Sequence, residues 1–99
     1  MKIAVKRSGG YAGVSEDVAT IDTAKLTATA VEQLEQMLQG IGFFDLPAIV
    51  SPETVGADMF YYEIAVTEDH RQHTVAFYDD NSPQIAPLRK LVDTLIRMA

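Results

Sequence analysis

Apolar and polar residues alternate at the start of the chain, with Ile3 and Val5 on one side and Lys2, Ala4 and Lys6 on the other. A period of two marks a half-buried strand. After a glycine-rich stretch, Val14 to Asp22 resumes a strand-like pattern through Val14, Val18 and Ile21. Val18 and Ile21 are an odd number of positions apart, so this strand is expected to bulge or change face. Together the runs predict a hairpin whose tip is wider than two residues.

The spacing then becomes helical. Val31, Leu34, Leu38 and Ile41 recur at three- and four-residue intervals, while Glu32, Gln33, Glu35, Gln36 and Gln39 supply a wet side. Thr29 followed by Glu32 predicts a capping box at the start. Gly40 or Gly42 is placed to end the helix in a left-handed conformation. Phe43, Phe44 and Leu46 are expected to fold back on the core, and Pro47 stops further helix. Residues 48–57, with Pro52 and Gly56, read as a long connection.

A second hairpin follows. Phe60, Tyr62, Ile64 and Val66 alternate against Met59, Tyr61, Glu63 and Ala65, and "EDHR" turns the chain into a strand carrying His73, Val75 and Phe77. Ser82 then offers an N-cap with Pro83 at the first helical position. Ile85, Leu88, Leu91 or Val92, and Leu95 form a second helical stripe, with Lys90 and Arg97 in the later turns, where cations suit the dipole. The order is ββαββα. It predicts an α+β fold in which two helices cover one face of a four-stranded, mostly antiparallel sheet, with residues 1–99 forming one domain.

Composition narrows the partners. The chain has 99 residues, 47% of them hydrophobic and 22% charged, which suits a packed domain. It contains no cysteine, so disulfides and thiolate metal sites are excluded. A formal charge of −6 disfavours nucleic acid and anionic membrane as partners. The amino-terminal residues lack the apolar core of a signal peptide and no run is long enough to span a bilayer, giving a cytoplasmic expectation.

No constellation for catalysis emerges. His70 and His73 flank a turn, where strand geometry separates their rings, and no third ligand is fixed nearby. Asp79 and Asp80 lack the spacing and glycine of a calcium loop and read as a turn entering a helix. Ser8 has neither base nor orienting group in a local motif. The neighbouring glycines return into a strand rather than a helix N-terminus, unlike a phosphate cradle. Tyr11, Tyr61, Tyr62 and Tyr78 lack the basic groove that base stacking needs. The chain is read as a non-enzyme without cofactor or metal.

One stretch stays open. "RSGGYAG", Arg7 to Gly13, places Tyr11 among Gly9, Gly10 and Gly13. Glycine is the ordinary solution for a turn that needs positive φ, and a plain hairpin tip accounts for all three. The competing reading is a binding projection, because an aromatic carried on a loop is a favoured interface residue.

"MKIAVKRSGGYAG", "GFFDLP", "GADMFYYEI", "HTVAFYDD" and "SPQIAPLRKLVDTL", in that order and spacing, resemble the emfourin family of proteins that inhibit protealysin and other thermolysin-like metallopeptidases. The resemblance spans nearly the whole chain. The free chain is expected to be a monomer, and the resemblance implies a small reversible inhibitor that binds the peptidase in its active-site cleft. On that expectation Arg7, Ser8, Gly9, Gly10, Tyr11, Ala12 and Gly13 form the contact. Tyr11 would fill an apolar pocket, carbonyls of Ser8 to Gly10 would face the cleft or its zinc, and Arg7 would meet a carboxylate at the rim. The competing expectation is a non-inhibitory interaction module on the same scaffold.

Overall fold

The computed structural model of the chain describes residues 1–9, 15–50, 60–79 and 82–99. Strands β1 (Lys2–Gly9), β2 (Glu16–Asp22), β3 (Ile49–Val50), β4 (Phe60–Glu68) and β5 (Arg71–Tyr78) accompany helices α1 (Ala28–Ile41) and α2 (Ala86–Met98). Short 3₁₀ turns lie at Thr23–Lys25 and Phe43–Asp45. The strands make one sheet in the order β2-β1-β4-β5-β3. The β1–β2, β1–β4 and β4–β5 pairs are antiparallel, while β3 runs parallel to β5.

The sheet is thus five-stranded and mixed, where four strands were expected. The added strand falls inside the segment read as a connection. It pairs Ile49 with Ala76 and Val50 with Phe77, and the Ala76 amide donates to the Ala48 carbonyl at 2.8 Å. Two residues are too few to display a period, so only their β-branched character hinted at a strand.

The expected bulge is present. Val5 pairs with Ala19 but Lys6 with Asp17, leaving Val18 as the extra residue. This shift lets Ala19 and Ile21 share the buried face with Ile3 and Val5. Tyr62, Ile64 and Val66 from β4, and Val75 and Phe77 from β5, continue that face. Leu34 and Leu38 of α1, Phe43, and Leu88, Leu91, Val92 and Leu95 of α2 close over it in a single cluster. Both Leu91 and Val92 are buried. Lys2, Lys6, Glu63, Thr67 and Gln72 on the other face are exposed, so both helices cover the same side. Phe43 folds back to full burial, with Phe44 and Leu46 packed at the margin. Burying a side chain of that size stabilises the fold by about 1.5–3 kcal/mol.

Both helix starts differ from expectation. The Thr27 hydroxyl caps α1 by accepting from the Ala30 amide at 3.2 Å, so Thr29 is inside the helix and the Thr29–Glu32 box does not form. Starting there places Leu26 just before the cap, where it packs against the core. Gly42, at φ 69, ends the helix. Helix α2 begins at Ala86 after a turn over Pro83–Ile85, and Ser82 is not its cap. Pro87 explains the delay. A helix begun at Pro83 would place Pro87 where its missing amide breaks a helical bond, whereas in the first turn that amide is not required. Among the described residues no helix is long and apolar enough to cross a membrane.

Candidate functional site

Sheet register sorts the connections by end. Gly9 lies opposite Phe60, and Tyr61 opposite Tyr78. The link from β1 to β2, the link entering β4 and the link leaving β5 therefore all attach at one end. Parallel pairing sends Val50, beside Phe77, toward that same end. At the other end Lys2 pairs with Thr67 and Asp22, and Glu68 with Arg71, so the "EDHR" turn points away. Periodicity gave no access to this arrangement, because strand order depends on long-range pairing.

The described stem of the glycine loop is closely braced. The Arg7 guanidinium donates to the Glu16 carboxylate through Nε at 2.8 Å, and its Nη2 contacts the same oxygen. Its Cζ lies 4.7 Å from the Phe60 ring centroid. Hydrogen bonds to the Glu16 carboxylate, then to the Tyr62 hydroxyl, push the Arg7 pKa above its ordinary value, so its positive charge is secure. Arg7, expected to meet a partner's carboxylate, is paired with Glu16 of its own hairpin in the free chain. Ser8 lies opposite Tyr61 and is half-buried. Gly9 has φ 98, a left-handed conformation that favours glycine. Gly10, Tyr11, Ala12 and Gly13 lie outside the described residues.

A second aromatic and charged group supports this end from beneath. The Tyr62 ring stacks on Phe77 with centroids 5.4 Å apart and planes 19° from parallel. The Arg89 guanidinium sits 5.1 Å from the Tyr62 centroid and bridges Asp79 at 3.3 Å and Asp93 at 2.6 Å. Helix α2 is thereby tied to the end of β5. Phe60, Glu16 and Arg89 were not singled out as site residues in the sequence. Glu16 had a readable signal, an acid nine positions after Arg7 across a wide-tipped hairpin.

A model of the emfourin family matches residues 5–95. The chain belongs to the emfourin family. No curated protein and no solved structure matches it. In this emfourin-family chain the match reaches from β1 into the last turns of α2 and so contains the braced end in full.

The opposite end of this family member also pairs its charged groups within the chain, beside an open cleft. Arg71 bonds Glu68 at 3.0 Å and lies 3.6 Å above the Phe44 ring centroid. An open cleft of about 420 Å³ there is lined by Glu35, Phe44, Asp45, Glu68 and Arg71 among others. The His73 Nε2 is 2.8 Å from the Leu46 carbonyl, to which it donates, and the ring packs against both Phe43 and Phe44. His73 thus fixes the segment after α1. Among the described residues no three potential ligand side chains gather into a metal site.

Proposed function

We propose that this chain is a reversible protein inhibitor of thermolysin-like zinc metallopeptidases, and that it places the end of its first hairpin in the peptidase's active-site cleft. The family match over residues 5–95 supports the inhibitor reading most strongly. The braced stem supports the choice of hairpin. Enzymes of this class prefer a bulky apolar residue just after the cut bond, a preference that Tyr11 can satisfy. Carbonyls of Ser8 to Gly10 then face the cleft and its zinc, while Arg7 contributes from the stem.

Occupancy without turnover has a physical basis. Attack on a peptide needs reacting atoms held in an aligned geometry. Gly9, at φ 98, bends the backbone away from the extended form a substrate adopts. Pairing of β1 with both β2 and β4 holds the stem, so a severed loop would keep its ends together. Order present before binding lowers the entropy lost on association, which lets a small contact bind tightly. The inhibitor transforms nothing and needs no cofactor.

The test is a titration of a thermolysin-like peptidase, with a chromogenic substrate, by the parent chain, by Tyr11→Ala and by a Gly9→Ala/Gly10→Ala double variant. The parent should abolish activity stoichiometrically, and each variant should inhibit roughly 30-fold or more weakly, as truncated interface anchors do. Full peptidase activity at micromolar parent chain would refute the inhibitor reading. Undiminished inhibition by both folded variants would move the contact away from this loop.

A further inference from the structure

The Phe60 side chain takes no part in the hydrophobic core. It opens β4 on the face that further along carries Tyr62, Ile64 and Val66, yet it stands outside the core cluster and is 41% exposed. The other large apolar side chains exposed among the described residues are Ile49, on the short edge strand, and Ile96, in the last turns of α2. Phe60 alone of these pairs with the stem of the glycine loop, facing Gly9 across the ladder. Gly9 has no side chain to cover the ring.

The ring is nevertheless held. Arg7 sits over it at 4.7 Å, and the same guanidinium is anchored by Glu16 from the neighbouring strand. The backbone at Phe60 is also fixed, since its carbonyl accepts from the Asp79 amide at 2.9 Å. Cation–π stacking orders an aromatic without removing it from solvent. A large, ordered and exposed aromatic beside an arginine has the chemistry of an interface anchor, because its rotamer is chosen before the partner arrives.

Resting on the inhibitor reading above, we infer that Phe60 is a second anchor for the metallopeptidase, separate from the loop residues and presented by the Arg7–Glu16 brace to an apolar patch on the rim of the cleft. The loop tip occupies the reacting centre, and Phe60 adds contact beside it. The partner surface it fits is apolar and unblocked by lysine or arginine, since Arg7 already supplies the cation.

The experiment compares inhibition of one thermolysin-like peptidase by the parent chain and by Phe60→Ala. Aromatic ring resonances of Phe60 in the parent are followed in parallel as the peptidase is added. Phe60→Ala should inhibit roughly 30-fold more weakly, a hot-spot loss, with unchanged circular dichroism. The parent's Phe60 ring signals should shift or broaden in the complex while those of buried Phe77 keep their free-state positions. If the parent inhibits and Phe60→Ala matches it within about twofold, the second anchor is overturned while the inhibitor reading stands. A parent that fails to inhibit removes both. Should Phe60→Ala fail to fold, the ring signals decide, and signals unmoved in the complex overturn the proposal.

Discussion

At the scale of single residues, some environments follow from near neighbours and others need the whole sheet. The left-handed end of α1 was readable to within Gly40 or Gly42, because an amphipathic stripe ending near Ile41 needs such a residue, and the structure places it at Gly42. The role of Arg7 was not, because its partners Glu16 and Phe60 meet it only through β-pairing. Tyr61 takes its character from burial, from Glu63 on its own strand and from Tyr78 across the ladder. Burial first, then the negative charge of Glu63 and the closeness of Tyr78, raise its pKa above the usual phenol value. Below the unfolded pKa both states keep the proton, and above it the unfolded phenol ionises first. Tyr61 therefore contributes stability that is full below about pH 10 and is lost as pH rises through the folded pKa. Denaturant midpoints measured across that alkaline range should fall less steeply for Tyr61→Phe than for the parent. Parallel declines would contradict this assignment.

At the scale of elements, type was legible and boundaries were less so. The period of two exposed β1 and β4, and the helical stripes exposed α1 and α2, because each buries one regular face. The sequence pointed to Thr29 as the cap of α1, and the shift to Thr27 follows from Leu26 packing on the core, a tertiary fact. Helix α2 starts late because Pro87 tolerates only the first turn. Strand β3 was hidden by its brevity. The cap assignment is testable with paired variants. Thr27→Ala should cost about 1 kcal/mol in chemical denaturation, whereas Thr29→Ala, inside the first turn, should change stability by less than about 0.5 kcal/mol. The reverse order would restore the box at Thr29.

At the scale of the whole molecule, the two ends of the sheet differ in what they leave available. Each end pairs an arginine within the chain, Arg71 lying on Phe44 and bonded to Glu68, and Arg7 lying on Phe60 and bonded to Glu16. At the glycine-loop end three connections attach, the stem is braced and Phe60 is exposed. The candidate contact residues could be named from "RSGGYAG", but their surroundings could not, since strand order decides which loops are neighbours. That polarity is what makes a one-ended inhibitor a coherent account. A net charge of −6 adds that association should weaken with salt if the peptidase offers a basic rim.

Amide hydrogen exchange on the complex with a thermolysin-like peptidase, compared with the free chain, tests the orientation most directly. The account predicts new protection over residues 7–16 and at Phe60–Tyr62, with exchange at Glu68–Arg71 unchanged. Protection gathered at Glu68–Arg71, with the first hairpin's end exchanging as it does alone, would show that the molecule binds by the wrong end.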